Sequence, residues 1–201
     1  NSGSEPAIST YLHQKAREKG IPVSGTFELT SKCNFNCKMC YVHTAECNQK
    51  QDDLPAQWWI ETAKQAVSEG LVFLLLTGGE PLLHKEFPYI YTELKKLGLI
   101  ISINTNGYLL NGETAELFRK YPPNRLNVSL YGSNDDVYER LTGVRGFSTV
   151  IKNVENMLSM GIDVRFNCSL AKENHTDMKG IFNVAKKMNL QKILILTFKP
   201  A

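Results

Sequence analysis

The sequence predicts an α/β chain whose six strands curve around a polar chamber, and three observations lead there. Short apolar runs alternate with helix-period segments six times over, the signature of βα units and a parallel sheet. Period-2 alternation groups Ser102 with Asn104, Asn127 with Ser129, and Arg165 with Asn167 and Ser169, so one face of the sheet is polar. Amphipathic helices must cover the other face, which turns the polar set inward, unlike the aliphatic layers that fill a closed eight-stranded barrel.

The elements follow in chain order. Residues 1–24 form an N-terminal extension whose short amphipathic stretch (Tyr11, Leu12, Ala16) is too brief for a core of its own and suits a cap on the barrel bottom. Residues 25–201 form the core domain, with strand one over 25–30 and strand two over 71–76. Between them lies a helix with Pro55 in its first turn and Gly70 past its end. Gly98 stops the next helix, strand three covers 99–104, and Pro122 breaks the third helix before strand four at 125–130. Ser148 reads as the N-cap of a helix stopped by Gly161, with Val150, Ile151, Val154, Met157 and Leu158 on the face that covers the sheet. Strand five covers 162–169, Asn174 reads as the next N-cap, and strand six covers 192–198. The chain opens on Asn1 and stops just after an apolar run, which reads as a fragment or a minimal core.

Composition narrows the function. With 42% apolar and 21% charged residues the 201-residue chain reads as one globular domain. A net charge of +3, scattered in both signs with no basic block, does not imply nucleic acid as a partner. The most apolar run, 71–76, is far short of the roughly 20 residues of a membrane span, and the N-terminus lacks a signal-peptide core. A cytoplasmic protein with no membrane partner is expected. Three of the five cysteines fall within eight positions, poor geometry for a disulfide framework, and clustered thiols in a reducing compartment point to metal.

The segment Cys33-Asn-Phe-Asn-Cys37-Lys-Met-Cys40 follows strand one directly, on the side where barrel active sites are built. Iron-sulfur clusters normally take four thiolates, so three packed this tightly would leave one iron of a cubane open to an exogenous molecule. A zinc site completed by His43 or Cys47, or unrelated thiols, are the competing readings. Thr77-Gly78-Gly79-Glu80-Pro81 follows strand two; its glycines let backbone approach a ligand, and Glu80 can accept from a cationic group.

Together these two motifs resemble the radical S-adenosylmethionine (SAM) superfamily, over almost the whole chain from residue 25, including Thr105-Asn106-Gly107 after strand three and Ser129-Leu-Tyr-Gly132 after strand four. The resemblance implies a partial (β/α)6 barrel, open and with a polar lumen. It implies that Cys33, Cys37 and Cys40 ligate a 4Fe-4S cluster. It further implies that SAM chelates the unique iron and is reductively cleaved to methionine and a 5'-deoxyadenosyl radical that abstracts a substrate hydrogen. Gly78, Gly79 and Glu80 would then receive SAM's amino group, with Asn106 as a further cofactor-binding residue. By similarity to sulfatase-maturase-like members, Ser129 and Arg140 hold the ribose or carboxylate, with Arg145 competing for the arginine role. The resemblance also implies Asn167 as a ribose contact and the backbone of 197–199 near the adenine. Many family members carry an aromatic residue before the third cysteine; here Met39 stands there, followed by Tyr41, and Met39 can pack similarly. Glu28 points into the chamber or serves as a core carboxylate, and His43, Cys47 and Cys168 read as structural.

Cys40-Tyr-Val-His43 and Arg145-Gly-Phe-x-x-Val150 look like peptide-modifying maturases, which implies a peptide or protein substrate and a reduced flavodoxin- or ferredoxin-type electron donor. A cofactor-biosynthetic radical SAM enzyme acting on a small molecule, a metal-binding module without SAM chemistry, and a catalytically dead fragment are the alternatives.

Overall fold

A computed structural model describes residues 7–40, 42, 52–190 and 192–197. Six parallel strands form one open sheet in the order β1 to β6: β1 (Ser24–Glu28), β2 (Phe73–Thr77), β3 (Ile100–Thr105), β4 (Arg125–Ser129), β5 (Val164–Leu170) and β6 (Ile193–Thr197). The expected open α/β barrel is thus present, each strand shifted by one or two residues at most at its start. Phe198 lies outside the described residues.

Helices α1 (Ala7–Lys19), α2 (Ala56–Ser68), α3 (Phe87–Lys96), α4 (Gly112–Lys120), α5 (Asp135–Thr142), α6 (Phe147–Ser159) and α7 (Met178–Lys187) accompany the strands. α2 starts behind Pro55, and Gly98 and Gly161 follow their helices in the left-handed conformation. The expected Ser148 cap is not one: Gly146 occupies the cap position, and the Ser148 hydroxyl donates to Asp135 Oδ2 at 2.6 Å. Asn174 precedes a single 3₁₀ turn (His175–Asp177) rather than α7, and its side chain is spent on Ala171 N, Tyr131 O and Ser169 O. Two helices, α5 and α6, separate β4 from β5 where the periodicity suggests one.

The sheet sorts its residues as the period-2 pattern requires. Phe27, Leu74, Leu76, Ile101, Ile103, Leu126, Val128, Val164 and Phe166 are buried and meet Trp59, Ile90, Leu94, Phe118, Val150, Val154, Met157 and Ile181 from the helices. Thr26, Ser102, Asn104, Arg125, Asn127, Ser129, Arg165, Asn167 and Ser169 occupy the opposite, luminal face. The luminal amides pair across strands, Asn127 Nδ2 donating to Asn104 Oδ1 at 2.9 Å. Below the sheet, α1 uses His13, stacked on Phe73, and buried Ala16, while Tyr11 and Leu12 are exposed. Among the described residues no helix is long and apolar enough to cross a membrane.

Candidate active site

The cysteine loop leaves the C-terminal end of β1 and is pinned by Phe35. Phe35, 3% exposed, packs edge-on against Tyr108 and Tyr138 with ring centroids 5.8 and 6.0 Å away. The last carbonyls of α5 grip the same loop: Thr142 O accepts from Asn36 N at 2.9 Å and Leu141 O from Lys38 N at 3.0 Å. Cys33, Cys37 and Cys40 are half-buried and not disulfide-bonded. Burial pushes Cys37 up to about 12, reinforced by the sulfurs of Cys33 and Cys40. Burial also raises Cys33, against a hydrogen bond from Phe35 N, with the charge of Glu80 adding to the rise. Metal binding at this loop must therefore displace protons.

The loop after β2 closes onto the first. A Cβ at Gly78 would run into Thr30 O and one at Gly79 into Lys32 O, and Gly78 has a φ of +142°. The close approach these glycines permit is thus to the tail of β1, where the sequence pattern suggests a ligand. Gly79 N donates to Thr30 O at 2.7 Å and Glu80 N to Lys32 O at 2.8 Å, carrying the β1–β2 ladder past the strand ends. Glu80 is fully buried and caps the 3₁₀ turn Pro81–Leu83. Its carboxylate accepts from Leu82 N (3.2 Å), the Thr105 hydroxyl (2.8 Å) and Asn106 N (2.7 Å). An ionised carboxylate offers about four acceptor positions, so these three leave one for a ligand. Burial raises this carboxyl to about 7, opposed by the bonds from Asn106, Thr105 and Leu82; an adjacent cation would hold it charged.

Asn106, after β3, joins the two loops. It is 8% exposed, and its side-chain amide donates to Asn34 Oδ1 at 2.7 Å and lies 3.8 Å from Cys33 Sγ. Its turn is held from α6 by buried Asn153, which donates to Gly107 O and Tyr108 O at 3.0 and 2.9 Å.

Of the other expected residues, some face the lumen and others lie away from it. Ser129 and Asn167 are register partners on its face. Burial raises the Tyr131 phenol to about 12, opposed by the neighbouring Ser129 and Ser169 side chains. Arg140 lies on the exposed side of α5, whose end holds the cysteine loop. Arg145 is committed to exposed ion pairs with Asp136 (2.7 Å) and Glu139 (3.2 Å). Met39 and Thr197 line one cavity of about 410 Å³ together with Leu170, Ala171, Lys172 and His175. Glu28 is exposed on the luminal side, in register with Thr77. Cys168 is fully buried behind the sheet. Tyr41, His43, Cys47 and Lys199 lie outside the described residues.

The pattern missed Phe35, Asn153 and Asp53, whose carboxylate accepts from the Thr30 hydroxyl at 2.6 Å and pairs with Lys32 Nζ at 3.0 Å. A lone phenylalanine between two asparagines was the available sign for Phe35; nothing local marks the other two.

Three thiols on one anchored loop, with the Asn106 amide 3.8 Å from Cys33 Sγ and the buried Glu80 carboxylate on the same asparagine's backbone N–H, are of the chemistry a cluster and a cationic ligand require. The Radical SAM superfamily model matches residues 27–185. A Sulfolobus acidocaldarius protein named "Probable GTP 3',8-cyclase" is 32% identical over 178 residues, covering 86% of this chain and 55% of that one. A Metallosphaera sedula protein of the same name is 28% identical over 174 residues, covering 86% and 54%. Streptococcus suis SuiB bound to precursor peptide SuiA shares the fold at a TM-score of 0.78 and 19% identity, over 98% of this chain and 46% of SuiB. The protein anSMEcpe with bound AdoMet does so at 0.75 and 17%, over 88% and 51%. The chain thus spans about half the length of these relatives. With the family model matching most of its length, the chain belongs to the radical SAM superfamily, whose cofactors are a 4Fe-4S cluster and S-adenosylmethionine.

Proposed function

We propose that this chain is the SAM-cleaving core of an enzyme that directs radical chemistry at a peptide or protein. The observation that carries the cleavage step is Glu80, a buried carboxylate with one acceptor position left, joined through Asn106 to the Cys33 loop. When bound, the reduced cluster and SAM supply a hydrogen-abstracting radical. Cys33, Cys37 and Cys40 hold the cluster, and Glu80 takes SAM's ammonium in a turn shaped by Gly78, Gly79 and Asn106. Ser129 and Asn167 meet the ribose from paired strands. Arg140 takes the carboxylate, a role in which Arg145 is handicapped by its two acidic partners. The cavity between Met39 and Thr197 takes the adenine. A flavodoxin- or ferredoxin-type protein donates the electron.

The likeness of 40–43 and 145–150 to maturases supports the peptide reading. A nucleotide substrate is the second reading, favoured by the names of the sequence relatives. Anaerobic reconstitution, dithionite reduction and SAM addition should yield 5'-deoxyadenosine; a full iron complement without that product overturns the proposal. Deuterium carried into 5'-deoxyadenosine from labelled peptides supports the first substrate, and deuterium from labelled GTP overturns it in favour of the second.

A further inference from the structure

We propose that Asp53 is a positioning residue that braces the Glu80 turn against the cysteine loop. This rests on the reading of Glu80 as the ammonium acceptor and Cys33 as a cluster ligand. Asp53 has an 8% exposed side chain, so its carboxylate is held inside the structure while the Lys32 chain it pairs with is 46% exposed. Oδ1 accepts from the Thr30 hydroxyl, and the Thr30 oxygen in turn accepts from Lys32 N at 3.0 Å. That geometry sets two backbone carbonyls in place. Thr30 O receives Gly79 N and Lys32 O receives Glu80 N, so the peptide that carries Glu80 hangs on the two residues that Asp53 clamps. Cys33 follows Lys32 directly.

The segment containing Asp53 also grips the far end of the Glu80 turn. Leu54 O accepts from His84 Nε2 at 3.0 Å, and His84 Nδ1 accepts from Glu86 N at 3.2 Å, which leaves the ring proton on Nε2. Glu86 Oε2 accepts from Ala56 N at 3.1 Å. Residues 53–56 therefore tie the tail of β1 to the whole turn from 79 to 86. A carboxylate is needed because it must accept from a hydroxyl and an ammonium at once. An asparagine would turn an NH₂ group toward one of those donors.

The test compares wild type with Asp53→Asn and Thr30→Val, which cuts the link from the other end and answers the question if the first variant does not fold. In cofactor-free protein, amide exchange at Gly79 and Glu80 should speed up about tenfold, the loss of roughly one charge-assisted hydrogen bond. In reconstituted protein the SAM dissociation constant should rise about tenfold for the same reason, with bound iron unchanged. Unchanged exchange at those two amides overturns the brace. So does faster exchange throughout the sheet with SAM affinity intact, because that marks a general stabiliser. Should wild type take up no iron or bind no SAM, the cofactor roles fall, while the exchange comparison still decides the brace.

Discussion

At the scale of single residues, Glu80 makes the sharpest prediction because its environment opposes its charge. Its carboxyl titrates near 7 in the folded chain against 4.5 ordinarily. The folded state thus holds the proton more tightly, and the stability this contributes is present below about pH 4.5 and lost as pH rises through 7. At about 1.4 kcal/mol per pH unit, that is roughly 3 kcal/mol. Urea denaturation of cofactor-free protein across this range should show the decline, and Glu80→Gln should flatten it while abolishing SAM binding. The thiols make a second prediction: replacing Cys33, Cys37 and Cys40 together by alanine removes the brown chromophore and bound iron, and retained iron would place the cluster elsewhere. These residues were legible because their chemistry resides in residue type and spacing. Asp53 was not, since its partner Thr30 lies 23 residues away and only folding brings them together.

At the scale of elements, the site depends on backbone closeness that side chains would spoil. Gly79→Ala places a methyl group on Lys32 O, and relieving that contact should cost about 1–3 kcal/mol, read as a lower thermal midpoint. Phe35→Ala removes the anchor of the cysteine loop and should cost about 3–5 kcal/mol in denaturant titration, with weakened iron uptake. Strands and most helices could be read from periodicity because each buries one face. Helix α5 could not: at eight residues, with two aspartates at its start, it reads as a polar loop. Its signals were present, in Asn134 accepting from Val137 N as an N-cap and Gly143 in the left-handed conformation at its end. Missing α5 hid the pair of carbonyls that hold Asn36 and Lys38.

At the scale of the whole molecule, the polar lumen was legible from strand alternation alone, and the half-buried row from Ser102 to Ser169 follows it. The way the loops above that lumen interlock was not, because it is set by contacts between separate crossovers. A ligand spanning several of those loops stabilises the fold as a unit. At a hundredfold excess over its dissociation constant, SAM should add about 2.7 kcal/mol to the unfolding free energy of reconstituted protein. Differential scanning calorimetry should show that gain and its disappearance in Glu80→Gln.

Asn106 and Cys33 stand 73 residues apart in the chain yet meet at the mouth of the barrel. Such a contact closes a long loop, whose entropy is lost before the contact is gained, so it can form only after β1, β2 and β3 have docked in register. On a growing or partly unfolded chain, the cysteine loop exists before anything shields it. Its thiols are then open to oxidants and stray metals.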